Sequence, residues 1–381
     1  MFFYIEFARQ NHAINKILLI NKSTPMNPLL RTFLVLSVIV LLSQCKKESL
    51  NVSIPDSNFI DELVKQGIDK NGDKSISFDE AEAVTSLTIR NIEISNLKGI
   101  EAFTNLEELY CDNNKLTSLD LSGNKKLKYL DCSNNELSTL DVSKNTYLVE
   151  IYCNGNNLDT LDLRKQLFLK TLECDNNNLT GLDTHSNEAL NYLSCEGNKI
   201  TELNLNENVF LFGLECSNNL ISNLDLSSNT QLSALWCPGN KLTSLDVSKY
   251  VQIDQLNVED NQLTSLDVSK NIGLFSLGCS RNPIKRLDVS SNTELTDLLC
   301  DSTQLSTLDV SANLKLIILS CNYNFLTKLD LTNNKDLWIV YLYNMPTLTK
   351  VCLWDIPTNI PDLEINSDYS PNIIITTECS D

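Results

Sequence analysis

Leu106-Glu-Glu-Leu109-Tyr-Cys111-Asp-Asn-Asn114-Lys-Leu116-Thr-Ser-Leu119-Asp120-Leu121-Ser122-Gly-Asn124 is one copy of a 21-residue pattern, LxxLxCxxNxLTxLDLSxN. The pattern recurs without gap or insertion as far as Trp354, with copies opening at Leu106, Leu127, Leu148, Leu169, Leu190, Leu211, Leu232, Ile253, Leu274, Leu295, Leu316 and Leu337. A fixed period of this length specifies a solenoid, in which each unit buries its apolar face only against its neighbours. The first half of each copy alternates apolar and polar positions, a strand pattern that turns Leu106, Leu109 and Cys111 inward. The second half alternates again and is rich in Asp, Ser, Thr and Asn, which compete for the backbone and disfavour helix. The expected fold is therefore a mainly β solenoid of thin coils with little helix. Twelve coils at roughly 4.8 Å per stacked strand make an array about 55 Å long.

Asn114 stands where the chain must turn off the strand, and a side-chain amide there can satisfy backbone groups that a buried turn leaves unpaired. Asn135, Asn156, Asn177, Asn198, Asn219, Asn240, Asn261, Asn282 and Asn324 repeat it, with Thr303 the mid-array departure. These residues resemble the leucine-rich repeat family over roughly two-thirds of the chain, which implies an asparagine ladder along the coils. Cys111, Cys132, Cys153, Cys174, Cys195, Cys216, Cys237, Cys279, Cys300 and Cys321 share the sixth position, and Val258 replaces one of them. CxxC metal pairs are absent. Because Val substitutes with no other change, the thiols read as small buried hydrophobes rather than disulfides. With LDLSxN, this cysteine ladder resembles the internalin group of bacterial surface proteins, which implies adhesion or recognition and no catalysis.

The stretch from Thr349 to Asp381 breaks the pattern and carries Pro357, Pro361 and Pro371. It reads as a C-terminal cap (349–381) covering the last apolar coil, stapled by a Cys352–Cys379 bridge. The same cap is expected to fold over the apolar outward positions Leu299, Ile318, Ile339, Tyr341 and Tyr343.

At the other end, Met26 begins a segment with Arg31, the apolar run LVLSVIVLL and then Leu42-Ser43-Gln44-Cys45. This reads as a lipoprotein signal peptide over 26–44, with Cys45 the lipidated first residue and 45–53 a tether, although Gln44 departs from the usual Gly or Ala. The run is too short to favour a permanent span. Residues 1–25 are expected to precede the true start. Lys46-Lys-Glu-Ser resembles the tags that send some Gram-negative lipoproteins to the outer membrane surface.

Residues 54–86 form a different unit, an EF-hand-like N-cap ahead of repeats at 87–348. Pro55 and Asp56 open a short helix with Phe59, Ile60 and Leu63 on its apolar face. Asp69, Asn71, Asp73, Ser75, Ser77 and Glu80 then stand at loop positions 1, 3, 5, 7, 9 and 12 of an EF-hand, an oxygen-rich set suited to Ca²⁺. Lys74 occupies position six, where Gly normally permits the turn, and should weaken the metal.

The chain carries 49 acidic against 30 basic residues, a net charge of −19, which excludes a nucleic-acid backbone as partner and favours a basic protein or cations. Outward strand positions on the concave side make a stripe of aromatic rings and carboxylates: Glu108, Tyr110, Tyr129, Asp131, Glu150, Tyr152, Glu173, Tyr192, Glu215 and Trp236. Such rings supply large contacts at low entropic cost and suit either protein or glycan; the same residues also read as ordinary solvated strand positions with stacked aromatic pairs. A second ladder, Asp120, Asp141, Asp162, Asp183, Asp225, Asp246, Asp267, Asp288, Asp309 and Asp330, with Asn204 filling a gap, reads as carboxylates held by neighbouring donors. His12 and His185 are the only histidines, and no nucleophile–base arrangement or phosphate loop is present. The expectation is a monomeric, non-catalytic surface recognition lipoprotein binding extracellular protein or glycan, or alternatively an envelope scaffold holding another bacterial protein or polysaccharide complex.

Overall fold

The structure, a computed structural model, describes residues 51–378 apart from 361 and 371. Cys45, the signal segment before it and Cys379 lie outside the described residues. Each 21-residue copy contributes a three-residue strand whose central apolar residue is buried and whose flanking residues face outward. The strands are β1 (Ser86–Thr88), β2 (Glu108–Tyr110), β3 (Tyr129–Asp131), β4 (Glu150–Tyr152), β5 (Thr171–Glu173), β6 (Leu182–Asp183) and β7 (Tyr192–Ser194). They continue as β8 (Leu203–Asn204), β9 (Gly213–Glu215), β10 (Ala234–Trp236), β11 (Gln255–Asn257), β12 (Ser276–Gly278) and β13 (Asp297–Leu299). The last are β14 (Ile318–Ser320), β15 (Lys328–Asp330), β16 (Ile339–Tyr341), β17 (Lys350–Cys352), β18 (Glu364–Asn366) and β19 (Ile374–Thr376). One parallel sheet of 14 strands runs β1-β2-β3-β4-β5-β7-β9-β10-β11-β12-β13-β14-β16-β18, with small sheets β15-β17-β19 and β6-β8 beside it. Parallel stacking follows from the period, since each coil returns the chain to the same position one strand further on.

The core is a set of ladders. Leu109, Leu130, Ile151, Leu172 and their successors are fully buried, and so are the ten cysteines of the sixth position, all of them free thiols. The Sγ of Cys174 donates to the Ser194 carbonyl of the next coil at 3.4 Å, as Cys300 does to Ser320, a contact Val258 cannot make. Burial pushes the thiols of Cys153 and Cys279 up to about 12, which keeps them protonated and unreactive.

The asparagine ladder is fully paired. Asn156 Nδ2 donates to the carbonyls of Cys132, Cys153 and Asn154, and its Oδ1 accepts the Leu137 N–H. Just before each of these residues the backbone enters the left-handed region, as at Asn134 (φ 52°), Gly155 (φ 60°), Asn176 (φ 52°) and Gly197 (φ 64°). Asn and Gly alternate here for a steric reason. A Cβ on Gly155 would collide with the side-chain oxygen of Asn134 in the coil before.

The two ends compare differently with the sequence expectation. At the N-terminus, α1 (Ser57–Lys65) and α2 (Phe78–Glu82) form as expected, with Phe59 and Leu63 fully buried and the Phe59 ring 6.4 Å from Phe103 of the first coil. At the C-terminus the expected fold-over is corrected. β18 pairs with β16 in register and β19 with β17, so the segment extends the solenoid and leaves the outward side chains of Ile318, Ile339 and Tyr341 half-exposed. Pro357 opens a short 3-10 turn, Pro357–Asn359, outside the strands, where a missing N–H costs no ladder bond. Cys352 is buried and disulfide-bonded.

Candidate functional site

All ten residues of the expected stripe lie on the exposed face of the 14-stranded sheet. Tyr110, Asp131, Tyr152, Glu173, Ser194, Glu215 and Trp236 form one file, each in register with the next. Glu108, Tyr129, Glu150, Thr171 and Tyr192 form the other. The Tyr129 ring lies 5.3 Å from Tyr110 and 5.5 Å from Tyr152, tilted against both. Tyr192 lies over Gly213, where a Cβ would sit 2.7 Å from the ring, and its centroid is 6.2 Å from Phe212.

Charge on this face is unevenly neutralised. Arg90 pairs with Asp112 and, at 3.0 Å, with Asp131, while its guanidinium sits 4.6 Å over the Tyr110 ring. Arg281 pairs with Glu259 at 3.2 Å and with Asp260. Between those arginines, Glu150, Glu173, Asp175, Glu196 and Glu215 take part in no ion pair among the described residues. Their donors are neutral: Tyr152 Oη to Glu150 at 2.7 Å, Asn154 to Glu173 at 3.0 Å, Ser194 Oγ to Asp175 at 2.6 Å, Asn218 to Glu196 at 3.2 Å, and Ser217 to Glu215. Burial raises the carboxyls of Asp175 and Glu215 above the ordinary range, against the lowering effect of those serines. A cation placed here would relieve both the desolvation and the mutual repulsion.

The Asp120 series is held by neighbouring donors within its own coils. Asp120 accepts the Ser122 N–H at 2.9 Å and Asp288 accepts both the N–H and hydroxyl of Ser290, and these bonds hold the two carboxyls below their usual range. His185 stands on that side of the coil, 4.0 Å from Glu207, beside a hollow of about 520 Å³ lined by Thr160, Thr180, Gly181, Asp183 and Asn204.

The loop after α1 is closed by its own side chains. Asp69 accepts the N–H groups of Gly72 at 2.7 Å and Lys74 at 2.9 Å, Asn71 accepts that of Asp73, and Asp73 accepts that of Ser75. Lys74 adopts the left-handed conformation (φ 62°) that position six requires. Ser77 and Glu80 cap α2 reciprocally, and Glu80 also accepts the Lys70 N–H at 2.8 Å. The donor set fits a hard cation, although among the described residues no three His, Cys, Asp or Glu side chains converge as metal ligands. The Ile76 carbonyl accepts the Val52 N–H at 2.7 Å, and Asn51 bridges Ser77 in antiparallel sense.

One feature was missed by sequence reasoning. Leu167, Phe168, Phe210, Ile272, Leu314 and Trp338 stand exposed on the turns that precede successive strands, Trp338 with 66% of its surface accessible. The signal was available, because the corresponding positions of the first copy are Lys125, Lys126 and Lys128.

A parallel sheet with one asparagine rung per coil defines a leucine-rich repeat solenoid. More narrowly, the chain belongs to the internalin-like leucine-rich repeat proteins. The solved functional domain of InlJ from Listeria monocytogenes, which includes a cysteine ladder, is 32% identical, with a TM-score of 0.67 over 76% of this chain and 74% of that one. The internalin InlF from L. monocytogenes strain 4b F2365 shares the fold at 22% identity, with a TM-score of 0.72 over 84% of this chain and 98% of that one. Internalin J of L. monocytogenes serotype 4b is 38% identical over 77 residues, which span 20% of this chain and only 8% of that protein. No protein-family model matches the chain.

Proposed function

We propose that this is a non-catalytic recognition protein of the bacterial surface, anchored to the outer membrane through lipid on Cys45, that binds a basic protein partner on its sheet face. The observation that carries the reading is the run of carboxylates from Glu150 to Glu215, interleaved with Tyr152 and Tyr192 and taking part in no ion pair among the described residues, while Arg90 and Arg281 neutralise the carboxylates on either side. Trp236 and Tyr110 extend the contact surface at either end. The test is binding of residues 46–381 to a panel of basic proteins, neutral glycans and envelope extract. Saturable capture of basic proteins, weakened at least tenfold in Glu173→Gln/Asp175→Asn, is expected. Capture indifferent to both that pair and Tyr152→Ala/Trp236→Ala would place recognition on another face.

The loop supports a second proposal, that Asp69, Asn71, Asp73, Ser75, Ser77 and Glu80 hold one Ca²⁺ that stiffens the N-terminal cap. Lys74 already occupies the strained backbone position, and Ile76 is fixed by Val52, so the apo loop is close to the conformation a metal needs. Millimolar Ca²⁺ should raise the melting temperature, and more so in Lys74→Gly. An unchanged melting curve for both proteins retires the site.

A further inference from the structure

The sheet face changes chemistry along its length. Past Trp236 the outward residues of β11 and β12 are small or neutral, namely Gln255, Asn257, Ser276 and Gly278. From β13 onward most become apolar or aromatic: beside Asp297 and Ser320 stand Leu299, Ile318, Ile339, Tyr341 and, just beyond β16, Tyr343, all five half-exposed. The Tyr343 ring packs 5.4 Å from Tyr323 and 5.1 Å from Tyr369, and Tyr369 is 74% exposed. The terminal segment that would have covered this surface extends the solenoid instead.

We infer that the partner is an extended polypeptide laid along the solenoid axis, with a cationic stretch on the acidic half and an apolar stretch on β13–β16. This rests on the proposal that the acidic half receives a basic partner, and it adds the second contact and the spacing. Both halves face the same way on one continuous sheet, so a single straight segment reaches both. Six strand steps separate β7 from β14 in the sheet order, about 29 Å at ~4.8 Å per step. An extended chain covers that distance in about nine residues. A glycan would stack on the tyrosines but carries no cation for the carboxylates. A second copy of this chain would bring a net charge of −19 to an acidic face. Only a polypeptide supplies both chemistries at that separation.

The test uses the full chain and three synthetic probes: a tetralysine peptide, a Phe-Leu-Phe-Leu peptide, and the two joined by a nine-residue Gly-Ser spacer. Fluorescence anisotropy gives a Kd for each. The joined peptide is expected to bind at least about tenfold more tightly than the lysine block, because the second contact becomes intramolecular. A three-residue spacer should abolish that gain. Ile318→Asp/Ile339→Asp should also abolish it while leaving lysine-block binding intact; Tyr341→Ser provides a milder variant if the first melts early. No gain on joining, or a gain that survives both variants, overturns the bipartite partner while leaving the basic-partner reading standing. A lysine block that does not bind overturns both. Dimerisation of the full chain that is lost in Ile318→Asp/Ile339→Asp would assign the apolar half to a second copy and overturn the inference.

Discussion

Two asparagine ladders run through every coil, and only one of them is fully used. In the ladder of Asn114 and Asn156, the amide nitrogen donates to two coils and the oxygen accepts a backbone N–H. In the ladder that ends each repeat, Asn292 Nδ2 donates to the Val268 and Asn271 carbonyls, but its buried Oδ1 has no partner among the described residues. Asn124, Asn145, Asn187, Asn271, Asn313 and Asn334 share that defect. Substitution within the array tracks the difference. The second ladder accepts Gln166 and Tyr250. The first departs only at Thr303, whose hydroxyl still bonds the Cys300 carbonyl at 2.7 Å, and at Met345 in the last copy. A recurring residue therefore reports that some of its atoms are needed, and the hydrogen-bond partners say which.

The largest test of that difference is Asn156→Ala. It leaves the Leu137 N–H unpaired in the core and takes one of two donors from the carbonyls of Cys132, Cys153 and Asn154, and should cost roughly 2–4 kcal/mol, since a buried group left unpaired costs about 1–3 kcal/mol and each lost bond about 0.5–1.5 kcal/mol. Urea denaturation followed by circular dichroism reads it directly. Asn292→Ala leaves no backbone group unpaired, because the Val268 and Asn271 carbonyls keep the N–H groups of Asn271 and Leu274, so only the two lost bonds count and about 1–2 kcal/mol is expected. Equal losses for the two variants would break the comparison.

Asp56 sharpens it from the opposite side, as a carboxylate with every lone pair occupied. It accepts the N–H groups of Asn58 and Phe59 as the cap of α1, and the Ser95 N–H, Ser95 hydroxyl and Asn96 N–H from the first coil. Burial works to raise its pKa, yet these bonds, led by the Ser95 N–H, leave it below the ordinary carboxylate value. A depressed folded-state pKa gives stability that is present above the unfolded pKa and lost as pH falls through the folded one. Asp56→Ala should cost about 1–2 kcal/mol at neutral pH, as other cap losses do, and the gap to wild type should close below about pH 3. A gap independent of pH would show that the carboxylate charge is not what joins the cap to the solenoid.

The parts of this structure legible beforehand were those written in the period. The 21-residue repeat placed the strands, the inward cysteines and the outward stripe, because a strict repeat makes every side-chain direction a matter of counting. The ends were harder. Glu364 pairs with Ile339 across a spacing longer than the period, so β18 is invisible to a search in register. The Val52–Ile76 bond joins segments that share no pattern. The alternation of Asn and Gly at the left-handed position depends on contact between coils, which a single copy does not display. Along the sheet face the residues were identifiable, but the division into an acidic half bracketed by Arg90 and Arg281 and an open apolar half needed the ion pairs and the course of the C-terminus.

One coil shows how the half-used ladder can be completed. Thr184 stands where the other copies carry Leu or Val, or Cys352 in the last, and its hydroxyl donates to Asn208 Oδ1 at 2.8 Å, which is why Asn208 is not among the unpaired oxygens. The same amide still donates to the Thr184 carbonyl, so the rung geometry is unchanged. Val268 bears the same relation to Asn292, is fully buried, and has nearly the shape of threonine. Val268→Thr replaces a methyl by a hydroxyl whose acceptor is already in place. The lost apolar transfer costs about 1 kcal/mol, against the ~1–3 kcal/mol recovered when a buried oxygen is paired. A net stabilisation of about 1 kcal/mol is expected, and Thr184→Val should lose a similar amount. In Val268→Thr/Asn292→Ala the stabilising effect should vanish, because its acceptor is gone. A Val268→Thr protein less stable than wild type would show that the unpaired oxygens are already satisfied, and that the two ladders are equivalent after all.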